Sequence, residues 1–520
     1  MPARLHPGVY VEEVPSGARS IEAAGTSTAI FVGETERGPV APTKIKGVAD
    51  YERQFGGYKR HGAPPVVCTL RYAMDAFFQN GGSTAYILRG ILSGSVTGGR
   101  TFGGALTPQI VASSPGTWST NVRVISAVSS DGDAARFRLF VIYQSPGGAP
   151  DVIVERWDRL SASGSDENYA SDVLQRSLYI RWNPDVAVAI PALDIAANPV
   201  TDAQVIAVAG AALVGGTGGD INLTDTQVKG ILGRLDEISD AALLVIPSRP
   251  ADADTAVTAM QKVGLDYAEG RLRQDLFCVA DMPRLKGSGD PTSATNDAIT
   301  AFSSQSKTTF GGVYFPWMEV GDPVGVGRDP TLMLGPNAFV AGLFARTDQR
   351  RGVWKAPAGL DATVLGIRKL EYKLLDTHQD ELNPRGINAL RDMPAGGNVV
   401  WGARTLRPDS EWRYVPVRRM AIFLRTSIYN GIQWAVFEPN DEPLWSQLRL
   451  TIGGFMEQLF RQGAFAGRTT REAFFVKCDS ETTPEPDRIA GIVNVWVGFA
   501  PLRPAEFVVV RLSQIVNQKA

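Results

Sequence analysis

Histidine and cysteine are scarce in this chain of 520 residues, with three of each. The thiols Cys68, Cys278 and Cys478 lie far apart in sequence, which excludes a disulfide framework and any CxxC metal knuckle. They read as buried thiols of a chain made in a reducing cytoplasm. Charge of one sign is missing too. The 52 basic residues face 54 acidic ones for a net charge of −2, with no block of like charge, which argues against a nucleic-acid polyanion as principal partner. Near-neutrality is also what a self-associating protein tolerates. The uncharged stretch Ala203–Gly219 holds five glycines beside Gln204 and Thr217 and falls short of the roughly 20 apolar residues of a membrane span. Met1–Pro7 has no apolar core, so no cleaved export signal is expected.

Catalytic motifs are equally thin. There is no GxxxxGK[ST], HExxH or GxSxG. The run Gly215–Gly219 precedes a capped helix as a phosphate loop does, but it lacks Lys, and Ile221 stands where GxGxxG needs its third Gly. Of the histidines, His6 and His61 lie early in the chain and His378 sits between Asp376 and Asp380, so none falls within 205–345. A Ser-His-Asp triad built there has no general base. The acidic pairs Glu12-Glu13 and Asp441-Glu442 read as solvated carboxylates in the absence of an accompanying motif. No cofactor, metal or catalytic residue is expected.

What is present is a segmented pattern, predicting a multi-domain α/β plus β fold. Residues 1–25 form an arm carrying one isolated strand, Val9–Val14, between Pro-Gly and Pro-Ser-Gly breakers. Its Pro15–Gly25 linker spans up to roughly 36 Å if extended. Residues 26–92 read as a small α/β unit, and 93–204 as a β-sandwich insertion of short alternating strands. In 205–345 apolar strands alternate with helices, one of them opened by a Thr224/Gln227 capping box, which predicts a doubly wound, mostly parallel sheet. Residues 346–505 form an α+β C-terminal domain with helices at Val415–Tyr429 and Pro443–Gln462. Residues 506–520 carry a last strand, Phe507–Leu512. Both termini thus carry a strand, which either pairs within its own chain or adds to an exposed sheet edge of a neighbouring molecule.

The motifs His6–Glu13 (HPGVYVEE), Thr28–Gly33 with Arg37-Gly-Pro39, Asn80–Tyr86 (NGGSTAY), Tyr314–Trp317 (YFPW), Gly335–Gly342 (GPNAFVAG) and Ala345–Asp348 stand in one order along the chain. Arg351–Pro357 (RGVWKAP), Trp401–Thr405 (WGART), Arg418-Arg419, Phe437–Asp441 (FEPND) and Pro504–Phe507 continue it. In these the chain closely resembles the contractile tail sheath proteins of bacteriophages and phage-like injection particles. The resemblance implies extended termini, an outer β-sandwich, a subtilisin-like domain without protease activity and a C-terminal domain facing an inner tube. It also implies self-assembly as stacked hexameric rings, with the tube, baseplate and tail-terminator proteins as further partners and no membrane insertion. By this resemblance Val9, Tyr10, Val11, Glu12 and Val14, and Phe507, Val508, Val509, Val510 and Leu512, are inter-subunit donor strands. The resemblance also implies a tube-facing helix, matched best by Pro443–Gln462 with Arg449, Glu457 and Arg461 as its polar contacts, the alternative being an ordinary amphipathic core helix. The particle would assemble in a bacterial cytoplasm as a virion tail or phage-like device. A static coat or surface-layer protein shares the strand exchange, and a subtilisin-like hydrolase shares the fold but would need the missing base. The loop Gly321–Arg328 has no role in this reading.

Overall fold

The computed structural model describes residues 20–61, 66–102, 107–144, 151–183, 190–209, 211–218, 223–285, 290–408 and 410–507. The chain starts with β1 (Ala29–Gly33), β2 (Thr43–Ile45), α1 (Val48–Phe55), the short pair β3 (Arg60–His61) and β4 (Val66–Val67), α2 (Thr69–Gln79) and β5 (Ala85–Arg89). An insertion follows: β6 (Gly99–Arg100), β7 (Ile110–Ala112), β8 (Val122–Val128), β9 (Arg136–Tyr143), β10 (Val152–Ser161), α3 (Ala170–Val173), β11 (Ile180–Trp182) and α4 (Asp202–Ala207). The alternation then resumes with α5 (Asp225–Leu232), β12 (Leu243–Val245), α6 (Asp254–Gly270), β13 (Phe277–Asp281), α7 (Pro291–Phe302) and β14 (Gly311–Phe315). After the hairpin β15 (Met318–Gly321) and β16 (Thr331–Leu334) come α8 (Asn337–Arg351), β17 (Lys369–Leu370), α9 (Asp376–Leu382), β18 (Ile387–Met393) and β19 (Gly397–Val400). The last elements are α10 (Val415–Gly431), α11 (Glu442–Arg461), α12 (Thr470–Ala473), β20 (Phe474–Lys477), α13 (Glu485–Ile489) and β21 (Trp496–Phe499).

The main sheet has eight strands in the order β19-β18-β14-β13-β12-β1-β5-β2. From β18 to β5 the pairs are parallel, and the edge strands β19 and β2 run antiparallel to their neighbours. Segments that read separately in the sequence, 26–92, 205–345 and part of 346–505, therefore share one sheet. Pairing across such separations is set by register, which leaves no local signature. Successive strand residues point to opposite faces. On β13, Phe277 meets Phe344 of α8, with ring centroids 6.2 Å apart. The next residue, Cys278, lies beside Gly264 of α6, where a Cβ would come within 3.2 Å of its sulfur. Helices α8 and α6 thus cover opposite faces, and the sheet core reads as continuous apolar runs for that reason. The Thr224/Gln227 capping box forms as expected. Helix α8 carries no amphipathic stripe, because Asn337–Ala345 is buried all round.

In the insertion, antiparallel sheets β10-β9-β8 and β11-β7-β6 share an apolar cluster that includes Ile110, Trp118, Val124, Phe137, Leu139, Val141 and Ile180. The alternate side chains Ile125, Phe140 and Ile142 enter a second cluster with Ile195 and Val205. Burial on both faces explains the unbroken apolar run of β9. The insertion is joined to the main sheet through buried polar groups. Arg89, at the end of β5 and 0% exposed, donates to Gly38 O at 2.7 Å, Ser114 Oγ at 3.1 Å and Pro115 O at 3.1 Å. Arg37 donates to Arg53 O at the end of α1 and to Tyr179 Oη at 3.1 Å, and its guanidinium lies 4.5 Å from the Tyr179 ring centroid. Tyr143 donates to Glu36.

The chain divides into two compact units, Gly25–Arg418 and a smaller one of Arg419 onward together with the residues before Gly25. In the smaller unit, Leu444, Trp445 and Leu448 of α11 pack around Cys478 with Trp434 and Val495. Asp441 caps α11 by accepting from Leu444 N–H at 3.3 Å.

Arg89→Met keeps the bulk but strands buried acceptors at the insertion joint. It should destabilise the larger unit by about 2–4 kcal/mol, read as a lower denaturant midpoint of its transition.

Candidate functional site

In open parallel sheets ligands bind beyond the carboxyl ends of the strands, where strand order reverses. Here that place is the end of β1, with β5 on one side and β12 on the other. It is occupied by the chain's own side chains. Glu34, 5% exposed, accepts from Leu223 N–H at 2.6 Å and from Arg249 Nη1 at 2.5 Å. Arg249 also donates to Leu223 O at 3.1 Å and to Asp252. Burial outweighs the guanidinium and raises the Glu34 carboxyl above its ordinary range. The remaining space, about 30 Å³, admits water but no substrate.

Two strands away from β1, Asp281 closes β13 and is wholly buried. It accepts from Asn337 N–H at 2.7 Å and so caps α8 from a distance, since the N-cap residue Pro336 makes no side-chain cap. Gln261 of α6 and the Asn337 amide both donate to Ile246 O at 2.8 Å. Gly335 is required by this contact, because a Cβ there would stand 2.2 Å from Asp281 Oδ2. Burial pushes the Asp281 carboxyl up to about 7, against hydrogen bonds from Asn337 and Ser248 that pull it down. The cluster binds sheet to helix and presents no reacting group.

The other candidates are similarly absorbed. Gly216 lies where a Cβ would meet Ser119 Oγ at 2.1 Å, and Gly218 O accepts from Thr117 N–H at 3.1 Å. Gly216 and Gly218 thus serve close packing against the insertion. His378 accepts from Leu375 N–H at 3.0 Å through Nδ1 and meets Thr292 Oγ1 at 3.2 Å through Nε2. His6, Glu12 and Glu13 lie outside the described residues. Among those described, no group of His, Cys, Asp and Glu could hold a metal ion, and no helix is long and apolar enough to cross a membrane.

The smaller unit exposes several large apolar side chains. Strands β20 and β21 form a two-stranded antiparallel sheet, with Lys477 opposite Trp496 and Phe475 opposite Gly498. Phe475 and Trp496 share one face and are 57% and 56% exposed. Phe437, fully exposed, is held at φ 70°, a conformation that costs a bulky residue of order 1–3 kcal/mol. Sequence reading passed over both features, although Phe437 opens one of the quoted motifs. Phe507 is exposed. The remaining donor-strand residues, Val9, Tyr10, Val11, Glu12, Val14, Val508, Val509, Val510 and Leu512, lie outside the described residues. On α11 the three expected tube contacts separate. Arg449 pairs with Glu442 at 2.5 Å and donates to Cys478 O, tying α11 to the end of β20. Glu457 and Arg461 pair with each other at 2.5 Å on an exposed face. The loop Gly321–Arg328 is the turn of the β15–β16 hairpin. Tyr72 donates to Asp322 at its root at 2.7 Å, Asp329 meets Arg368 twice at 2.6 Å, and Val326 is fully exposed.

Comparison with known proteins agrees with this fold. The model of the phage tail sheath protein central domain matches residues 227–406, and that of the phage tail sheath C-terminal domain matches 407–515. The tail sheath protein of Vibrio phage KVP40 is 28% identical over 162 residues, 30% of this chain and 23% of the relative. A putative prophage major tail sheath protein of Pseudomonas aeruginosa is 26% identical over 224 residues, 42% of this chain and 54% of the relative. The chain therefore spans about a quarter to a half of the length of these curated relatives. Among solved structures, a chain of the anti-feeding prophage baseplate is 24% identical with a TM-score of 0.59, covering 99% of this chain and 100% of that one. A chain of the sheath complex of an extracellular contractile injection system in its contracted state is 22% identical with a TM-score of 0.58, covering 100% of both. The chain belongs to the contractile tail sheath family.

Because the folded Asp281 value of about 7 lies above the ordinary 3.8, its stabilising contribution is complete below about 3.8 and lost as pH rises through about 7. In urea denaturation, the stability of the unaltered protein relative to Asp281→Asn should fall across that interval. A difference that stays flat with pH would show that the carboxyl is not raised.

Proposed function

We propose that this chain is the structural, non-catalytic subunit of a contractile sheath, polymerising as stacked hexameric rings around an inner tube. Release by a baseplate then drives a lattice change that pushes the tube through a target envelope. The observation that carries this reading is the run of sheath-family matches over residues 227–515. The filled crevice at the end of β1 supports a body built for packing rather than turnover. In this reading the two sheets of 93–204 form an outer β-sandwich, and the parallel sheet is the subtilisin-like domain without its chemistry. The arms 1–25 and 506–520 and the insertion 93–204 are the separate working parts of a subunit made in a bacterial cytoplasm and built into a virion tail or phage-like particle, while 26–92, 205–345 and strands β18 and β19 of 346–505 share one sheet.

Val9–Val14 and Phe507–Leu512 donate strands to neighbouring subunits, and β20–β21 is the acceptor. A two-stranded sheet is marginal by itself, so it gains most from added strands. Each strand forming ~5 hydrogen bonds at ~1 kcal/mol net contributes several kcal/mol per junction. Glu457 and Arg461 face the inner tube, with Val436 and Phe437 extending the assembly surface, while Arg449 secures the helix that presents them.

Deleting residues 1–16 should leave a folded monomer by size-exclusion chromatography that forms no cross-striated tubes in electron micrographs. Normal tubes from that truncation would refute strand donation. Exchanging the charges of Glu457 and Arg461 should keep the pair and leave stability within about 0.5 kcal/mol, while lowering co-sedimentation with inner tubes about ten-fold.

A further inference from the structure

The root of the N-terminal arm is held on α10. Ile21 is buried, and a Cβ on Gly431 at the end of that helix would stand 2.6 Å from Ile21 Cγ1 and 3.0 Å from its Cβ. The colliding atoms sit close to the Ile21 backbone, so the side chain cannot simply swing aside. One turn earlier in α10, Ser427 is 0% exposed. Its Oγ donates to Phe423 O at 2.8 Å and accepts from Ala24 N–H at 2.9 Å. Glu22 and Ala23, between the two contacts, face solvent. Residues 21–24 thus behave as a fixed strap, whereas the sequence suggested a free linker from Pro15 to Gly25. Helix α10 is itself continuous through Arg418–Arg419, where the chain passes from the larger unit to the smaller.

We propose that Ile21 and Ala24, seated on Gly431 and Ser427, form a clasp that sets the exit point of the N-terminal arm and shortens its tether to the residues before 20. A pull on the arm is then taken by α10 rather than by the Ala24–Gly25 peptide. The clasp is a positioning contact for strand exchange and rests on the strand-donation reading above.

The test uses the full chain. By hydrogen exchange, the Ala24 amide should be protected at least about ten-fold over those of Glu22 and Ala23. Gly431→Ala improves helix propensity but drives a methyl into Ile21, and it should abolish that protection without lowering the melting temperature of the helices. In assembled tubes, a short Gly-Ser insertion between Arg19 and Ser20 should alter contraction, whereas the same insertion between Ala24 and Gly25 should not. An unprotected Ala24 in the unaltered protein, or equal effects of the two insertions, overturns the clasp. Failure of the unaltered chain to form tubes while Ala24 is protected would count against strand donation and leave the clasp standing.

Discussion

Strand β1 must pair with strands drawn from distant parts of the chain: Ile30 lies opposite Tyr86 of β5 on one side and Leu244 of β12 on the other. Everything between those strands, including the entire insertion, has to leave the sheet and return to it without disturbing that register. A register slip of one residue would turn every side chain of β1 to the wrong face. The buried arginines meet this constraint at the point of departure. Arg89 ends the outgoing strand and bonds to Ser114 and Pro115 just after β7 of the insertion, while Arg37 joins α1 to Tyr179. Arginine suits the task because its rigid fork reaches several carbonyls at once, and a lysine at either position could not. The arginine excess of the composition, 40 against 12 lysines, has a structural use at this joint.

Much of the local structure was legible because local rules decided it. The short alternating strands of 93–204 and the Thr224 capping box both act within a few residues. The sheet order was not legible, since parallel pairing is chosen by burial and register across hundreds of residues. Helix α8 escaped for a different reason: the period of 3.6 is visible only when one face is polar, and Asn337–Ala345 has none. At the site the sequence held few positive cues. Too few histidines stood against catalysis, but no sequence rule foretold that Glu34 and Arg249 would fill the crevice or that Asp281 would cap a helix from another element. The hairpin carrying Gly321–Arg328 explains that loop's turn residues, though not the exposure of Val326.

The smaller unit obeys another logic. It has a core around Trp445 and Cys478, yet large apolar side chains such as Phe475, Trp496 and Phe437 stay in solvent. Isolated exposed residues are ordinary, but these share a narrow open sheet and a strained turn. Such a surface is costly for an isolated molecule.

The filled crevice beside β1 bears on elasticity as well as chemistry. Cavities are where a protein yields first, because packed interiors have low compressibility and pass strain on rather than absorb it. By closing this crevice with a charge pair bonded on several sides, the chain leaves little compliant space in the middle of its main sheet. A load applied at one edge of the sheet is then delivered to the opposite edge with little lost to local deformation.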